Sequence, residues 1–508
     1  MPSSLMDLRR AGVVLHPTSL PGPHGSGDLG PNAYYFVDWL HKAGQTLWQT
    51  LPLGPVGPGY SPYMGGSVFA GNPMLVAFEP LMERGWIAAA SLQKDFDALK
   101  VNYPEVMPWR MRRLREAFAG FVALATPQDL QEQAQWAASH QVWLEDYALF
   151  MALDRVHAPL LWPQWPTPLA QRDDAALAIA RLAYADELAF WRFVQWQFDI
   201  QWQALRAYAH SKGVLMVGDL PIFVAHHGAD CWSRPDLYLL DTSGQPRVVA
   251  GVPPDFFSAT GQRWGNPLYN WEAMQADGYR WWVERVKRQL TLSDVIRIDH
   301  FRGFVDYWEI PANEPTAIQG CWRNGPGDAL FEALTQSLGP LPIIAEDLGI
   351  ITEEVVRMRQ RTGFPGMRVL QFAFSGDAHH PFLPHNYEPN TVVYTGTHDN
   401  DTLLGWWVGC SPHERAFAQA YLDVVDGADF TWALLRAAAM SVARLSLCQF
   451  QDVLELGSEH RMNVPGTMVD CWTWRFSWDW VAPETSVRLA HIAAASARVG
   501  FERLDLTV

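Results

Sequence analysis

In the stretch VIRIDHFRGF (295–304), Arg297 and Asp299 interrupt a run that otherwise reads as a buried strand through Val295, Ile296 and Ile298. A spacing of two places both on one strand face. Burying a guanidinium with a carboxylate is costly unless the two are paired and hydrogen-bonded, so the pair needs a reason to be there. Three more predicted strands carry acids at or near their ends. These are Glu346 and Asp347 in LPIIAEDLG (341–349), Asp399 and Asp401 in VVYTGTHDND (392–401), and Asp219 in VLMVGDLPIF (214–223). Each alone could be a loop cap or a structural salt bridge. Together, at corresponding places on several strands, they point to a catalytic role.

The elements that must position these groups alternate along the chain. AGVVLHPTSL (11–20) is followed by GPNAYYFVDWLHKAG (30–44), a predicted helix with Pro31 in its first turn and Gly44 past its end. The strand-like TLWQTLPLGP (46–55) comes next. From about 76 to 205 the pattern is helical, with VWLEDYALFMALDRV (142–156) the clearest case. In 187–213, Phe190, Val194, Phe198, Trp202 and Leu205 recur at three or four residues before Gly213. Further strands are expected at 214–223, 294–299, 342–346, 367–373 and 391–395, with a weaker one near 448–454. About eight strands alternating with helices predict an α/β fold, a (β/α)8 TIM barrel with inserted, largely helical subdomains over its C-terminal face. A doubly wound open sheet is the alternative, but no GxGxxG follows the first strand. The expected organisation begins with barrel strands and a helix in 1–75 and a helical inserted subdomain in 76–205 leading back into the barrel. A barrel strand in 206–223, a second insertion in 224–290 over the barrel mouth, and the remaining barrel with its active-site loops in 291–508 complete it.

At 508 residues the chain exceeds the usual single-domain range. Acidic residues outnumber basic ones, 54 to 38, for a net charge of −16. That sign opposes phosphate-backbone binding and anionic membrane surfaces, so neither nucleic acid nor a membrane is an expected partner. Five scattered cysteines without CxxC spacing argue against a disulfide framework or a zinc cluster. The N-terminal MPSSLMDLRRAGVVLHPTSLPG lacks a secretory apolar core, and no run approaches the roughly 18 apolar residues of a membrane span. A cytoplasmic location is therefore expected. The 25 Trp, 15 Tyr and 25 Phe offer faces that suit the C–H faces of sugar rings as well as a core.

The segments GDLPIFVA, VIRIDHFRGF, IIAEDLG and YTGTHDNDT resemble the four signature regions of the 4-α-glucanotransferases, the amylomaltase or disproportionating-enzyme family of the α-amylase clan. The resemblance extends to LHPTSLPGPHGSGDLG (15–30), SPY (61–63), FAGNP (69–73), PPDFFSATGQRWGNPLY (253–269), GFPGMRVLQFAF (363–374) and LGSEHRMNVPGT (456–467). It thus covers nearly the whole chain. It implies a (β/α)8 barrel, no added cofactor, and α-1,4-glucans as substrates: malto-oligosaccharides, starch or glycogen fragments, with glucose as an acceptor. Segments would pass to the acceptor 4-hydroxyl through a covalent glycosyl-aspartate. A plain α-1,4-glucan hydrolase of the same clan is the runner-up, and a non-catalytic glucan-binding scaffold is the reading from another class.

By that resemblance Asp299 is the nucleophile, Glu346 the general acid, and Asp399 the third carboxylate, which holds sugar hydroxyls and stabilises the oxocarbenium-like state. Arg297 would keep Asp299 ionised by direct pairing, while anionic Asp299 and partial desolvation raise Glu346. Strand alternation lets only one of Glu346 and Asp347 face the site and does not say which; nor does it choose between Asp399 and Asp401. His398 and His300 sit where hydroxyl-binding histidines would help, and Asp219 matches a supporting aspartate. Tyr63 would be a stacking platform for the donor-side sugar. Within the second insertion, the loop 250–269 resembles the family's lid, where Trp264, Phe256 and Phe257 would grip acceptor rings and Asp255 would bond hydroxyls, with Asn463 a hydroxyl ligand on the opposing loop. Pro58 stands where relatives have an aromatic, Tyr60 where they have an acid, and His226, His227 and Gly228 where an Asp-Ser pair is common. These departures bear on acceptor preference and secondary glucan binding. The adjacent histidines lack further ligands at suitable spacing, which argues against a metal site.

Overall fold

The computed structural model describes residues 8–255, 258–425, 427 and 429–499; Phe256 and Phe257 lie outside the described residues. In chain order the strands are β1 (Arg10–Val14), β2 (Leu47–Gln49), β3 (Leu215–Leu220), β4 (Val248–Val252), β5 (Gln262–Pro267), β6 (Val295–Ile298), β7 (Asp306–Pro311), β8 (Cys321–Asn324), β9 (Ile343–Ala345), β10 (Gly366–Val369), β11 (Thr391–Tyr394) and β12 (Leu445–Gln449). Eight of them close a parallel barrel in the order β1-β12-β11-β10-β9-β6-β3-β2. The other four form an antiparallel sheet, β5-β4-β7-β8.

The barrel strands are shorter than the apolar runs that announce them. β2 ends ahead of Pro52 and Pro55, and β3 ends at Pro221, because proline cannot donate to a ladder. Past Val369 the expected strand turns into a 3-10 helix, Leu370–Ser375. The weak strand placed near 448–454 lies earlier, at Leu445–Gln449, and Phe450–Val453 is a helical turn. All four strands of the antiparallel sheet, β4, β5, β7 and β8, escaped the sequence reading; the CWRN of β8, for one, is exposed at every position and so shows no apolar face.

Period-two alternation sorts the barrel residues into two faces. Val217, Val295, Ile344, Met367, Val392, Tyr394 and Leu447 fill the interior, whereas Ile296, Ile298, Ile343 and Ala345 pack outward against the helical shell. Continuing the inward series by two residues brings Asp219, Arg297, Asp299 and Glu346 above that apolar floor. Register aligns Asp219 with Arg297 across β3 and β6, and Arg297 with Ile344 across β6 and β9.

The helix Pro31–Lys42 starts on its proline and is followed by Gly44 at φ +65°, the left-handed position that glycine fills at low cost. Between β2 and β3 lie the helices Tyr103–Leu124, Pro127–Ser139, Gln141–His157 and Ala185–Ser211. The last runs for 27 residues and buries Phe198, Trp202 and Leu205. Two of its glutamines hold the loop after β2. Gln195 bonds both the N–H and the C=O of Gly71, at 2.7 and 2.8 Å, and Gln201 does the same for Ala77, at 2.8 and 3.2 Å. Tyr63 rides on that loop. No helix among the described residues is long and apolar enough to cross a membrane, and the five cysteines are free thiols.

Gln195→Leu keeps the side-chain volume but leaves two buried backbone groups of Gly71 unpartnered. It is expected to cost about 2–4 kcal/mol, read as a lower urea midpoint at unchanged slope.

Candidate active site

Loops at the carboxyl ends of the barrel strands enclose a cleft of about 460 Å³, lined by Tyr63, Trp264, Asp299, Glu346, Asp399 and Trp472 among others. Arg297 lies beneath it with its side chain 5% exposed. Its Nη1 contacts both Asp219 oxygens at 2.8 Å and Asp299 at 3.2 Å, and its Nη2 lies 3.4 Å from Glu346. One positive charge therefore faces three carboxyl groups. Asp219 is fully buried and also accepts the Tyr63 hydroxyl at 2.7 Å, so it supports the cleft from below without lining it.

Asp299 and Glu346 both line the cleft and share the Arg297 guanidinium. Burial pushes Asp299 well above the usual carboxylate range in spite of Arg297, with Glu346 and Asp219 adding to the rise. Burial likewise raises Glu346, against the pull of Arg297 and the His300 N–H. The expectation that Arg297 keeps Asp299 ionised by direct pairing runs against this direction, although the pairing itself is present at 3.2 Å. The guanidinium is divided among three carboxyls, and burial outweighs the share that Asp299 receives. Both carboxyls are thereby held above the ordinary carboxylate range, with burial the larger cause.

His300, at φ +49°, occupies the left-handed region that non-glycine residues rarely adopt. This turns its N–H onto Glu346 Oε2 at 2.5 Å. Its ring lines the cleft with Trp264 edge-on at 4.9 Å, and burial lowers its pKa to about 4, leaving the imidazole neutral at pH 7. The choice between Glu346 and Asp347 follows from Ile344, which faces inward and so sends Glu346 inward too. Asp347 faces outward to Arg359 at 3.2 Å, Arg368 at 3.4 Å and the Met367 N–H at 2.7 Å. Gly366 makes room for it, since a Cβ there would sit 2.4 Å from Asp347 Oδ2.

Asp399 lines the cleft and accepts from Asn463 Nδ2 at 2.6 Å, with His398 Nε2 at 3.3 Å; Arg461 holds its carbonyl at 2.9 Å. Asp401 turns away to the Ser458 hydroxyl at 2.9 Å and the Thr402 N–H at 2.8 Å. Tyr63 stacks on His398 at 4.9 Å and 17°, with its hydroxyl 3.4 Å from His398 Nδ1.

The antiparallel pair β4 and β5 brings Trp264 and Gln262 into the cleft lining. Asp255 is absent from the lining; its carboxylate caps the Ser258 N–H at 2.8 Å within the hairpin turn. Pro58 lines the cleft, whereas Tyr60 stacks on Tyr103 at 4.5 Å. His226 meets the Gly244 carbonyl and His227 meets Asp154, each at 2.7 Å, so these rings join loops to the helix Gln141–His157. No metal-holding cluster of His, Cys, Asp or Glu occurs among the described residues. Trp472, Met468 and Arg461 were not singled out from the sequence. Trp472 is turned into the cleft by a φ of +65°, which no residue pattern announces. Arg461 could have been found as the lone base between two acids' loops, beside the named Asn463.

The chain matches the family described as 4-alpha-glucanotransferase over residues 15–480. It is similar to a 4-alpha-glucanotransferase of Thermus thermophilus, 48% identical across 97% of this chain and 100% of that protein. A chloroplastic/amyloplastic 4-alpha-glucanotransferase of Solanum tuberosum is 45% identical across 92% and 82%. Among solved structures, an amylomaltase from Streptococcus agalactiae in complex with acarbose has a TM-score of 0.93 at 35% identity, covering 97% of this chain and 100% of that one.

Glu346→Gln is expected to stabilise the fold at neutral pH by on the order of 1 kcal/mol. With its folded-state pKa raised above the ordinary 4.5, Glu346 keeps a proton in the fold that the unfolded chain releases. Its unfavourable effect is absent below that ordinary value and grows as pH rises through the elevated one. The variant's advantage in urea midpoint should therefore vanish near about pH 4 and increase toward about pH 8; an advantage constant with pH would contradict the raised pKa.

Proposed function

Because the chain belongs to the 4-alpha-glucanotransferase family and is an enzyme of that kind, we propose that it moves α-1,4-glucan segments from a donor to the 4-hydroxyl of an acceptor glucan or glucose by two displacements at Asp299. The carrying observation is that Asp299 and Glu346 both line the cleft and contact the two nitrogens of one buried guanidinium, at 3.2 and 3.4 Å. Two carboxyls that meet the same guanidinium stand close together. That matches the close spacing of retaining enzymes, about 5–5.5 Å, better than the roughly 6.5–9.5 Å of inverting ones.

In the first displacement Asp299 attacks the anomeric carbon while Glu346 passes its proton to the departing glycosidic oxygen. The ester that forms removes the Asp299 charge, so Glu346 becomes more acidic and can act as base toward the acceptor hydroxyl. That hydroxyl then attacks the same carbon, Asp299 leaves as a carboxylate, and the proton returns to Glu346. Asp399, positioned by Asn463, bonds hydroxyls of the reacting sugar, and His398 and His300 bond others. Tyr63 offers the donor sugar its face away from His398, and Trp264 contacts acceptor rings. An acceptor held beside the ester gains effective concentration over water, and the lid hairpin limits water access. The acarbose bound by the Streptococcus agalactiae amylomaltase supports a ligand of that kind for this cleft. The two displacements ask for no cofactor, and a cytoplasmic location completes the reading.

Incubation with maltotriose alone should yield glucose and a ladder of longer oligomers with total reducing ends conserved. Glucose and maltose with rising reducing ends would overturn transfer in favour of hydrolysis, and no turnover at all would leave only a binding scaffold. Asp299→Asn should lower kcat on the order of 10⁴-fold with the fold retained. Asn463→Ala, which frees Asp399, should lower kcat by roughly 10- to 100-fold, with a smaller change in KM.

A further inference from the structure

The loop 396–402, which carries His398 and Asp399, leaves β11 at Thr395 and enters the helix Leu403–Gly409. It forms no strand. Asn400 gives it an internal shape, its side-chain oxygen accepting the Thr397 N–H and the Thr397 hydroxyl at 2.9 Å each. That turn does not fix where the loop stands relative to the barrel.

Three buried side chains after the neighbouring strands β10 and β12 do fix it. Gln371, past β10, and Gln449, the last residue of β12, both donate through Nε2 to the Asp401 carbonyl, at 2.7 and 3.2 Å. Gly396 gives them room, since a Cβ there would lie 2.6 Å from either nitrogen. Asp452, in the turn Phe450–Val453, takes the two ends of the loop. Its Oδ2 accepts the Thr395 hydroxyl at 2.8 Å and its Oδ1 the Leu403 N–H at 2.7 Å. Leu403 opens a helix, so its N–H has no partner within that helix.

Asp452 is 1% exposed and lies outside the cleft lining. Its partners are a hydroxyl and a backbone N–H, not a cation, and burial pushes its pKa up to about 7. A carboxyl in such surroundings costs stability. What it supplies in return is one rigid group with two acceptors, spaced to hold both ends of the loop at once.

We propose that Asp452 is a positioning residue for Asp399, clamping the loop so that the Asp399 carboxylate meets the hydroxyls of the reacting sugar in the transition state. The inference rests on the reaction proposed above. Asp452 touches no substrate. It acts through Thr395 and Leu403, and hence through the backbone between them. Once released, the loop would carry Asp399 off its place, and a displacement of about 1 Å in a reacting geometry can cost on the order of 100-fold in rate. Hydrogen bonds to the sugar that strengthen in the transition state are the most sensitive to such drift, so the loss falls on kcat more than on KM.

The test is a double-mutant cycle on the full chain, with kcat counted as maltotriose consumed. Asp452→Leu should lower kcat by about 10- to 100-fold while KM changes by less than about 3-fold. In an Asp399→Asn background the same substitution should cost less than about 3-fold more, because the carboxylate it positions is gone. Thr395→Val removes one hydroxyl at nearly constant shape and decides the matter should the leucine variant fail to fold. It should lower kcat by about 3- to 10-fold, again only while Asp399 is present. Losses of equal size in both backgrounds, or a raised KM with kcat kept, overturn the proposal. Acarbose affinity measured by calorimetry gives a second reading of the cycle, independent of turnover: Asp452→Leu should weaken it about 10-fold with Asp399 present and leave it level without. Absence of transfer by the unmodified enzyme strikes the function proposed above and leaves both readings of the cycle intact.

Discussion

One buried guanidinium sets the terms for everything above it. Arg297 sits in the barrel with its side chain 5% exposed and within 3.4 Å of Asp219, Asp299 and Glu346. A buried cation with one carboxylate would be an ordinary core ion pair. With three, the cluster can approach neutrality only by retaining protons, and burial raises both Asp299 and Glu346 in that direction. The proposed reaction needs that arrangement, one carboxyl attacking as an anion and its neighbour donating. The burial that raises both groups costs stability, the exchange expected where a site is organised for chemistry.

The guanidinium is in turn held from below. Asp219 takes both short contacts from Nη1 and the Tyr63 hydroxyl, and Tyr63 packs on His398, the neighbour of Asp399. Tyr63 belongs to the loop pinned by Gln195 and Gln201 of the helix Ala185–Ser211. A continuous path of hydrogen bonds and ring contacts therefore runs from an outer helix to the carboxyls. This explains why an irregular loop can present an aromatic at a fixed place: backbone groups that lack a ladder are satisfied by buried amides.

The barrel was legible because its signal is periodic. Inward Val295, Arg297 and Asp299 share one parity, and the helix Pro31–Lys42 carries proline and glycine at its two ends. The acids were legible because they recur at strand ends. What stayed hidden depends on contacts between distant segments. The left-handed backbone at His300 and Trp472 has no sequence mark, the exposed strand β8 has no apolar alternation, and Asp255 looked like a sugar ligand until it proved to cap its own turn. The shift of the last strand to Leu445–Gln449 reflects a helical turn at Phe450–Val453 whose apolar residues resemble strand. The charge state of Asp299 also lay beyond the sequence, because it depends on how many carboxyls divide one arginine.

The paired acids that spacing could not separate turn out to divide labour, by strand parity in Glu346-Asp347 and by the path of the loop after β11 in Asp399 and Asp401. In Glu346-Asp347 the inward residue reaches the cleft and the outward one is clamped by Arg359, Arg368 and the Met367 N–H. In Asp399 and Asp401 the first lines the cleft while the second binds Ser458 and lies 3.7 Å from Arg461, which also holds the Asp399 carbonyl. A strand end bearing a reactive carboxylate is its most easily displaced part, since the ladder stops there. An anchor one or two residues away restrains that end through charge and hydrogen bonds without touching substrate. The second acid in each motif is therefore explained by position: it fixes to the outer shell the backbone from which the first one projects.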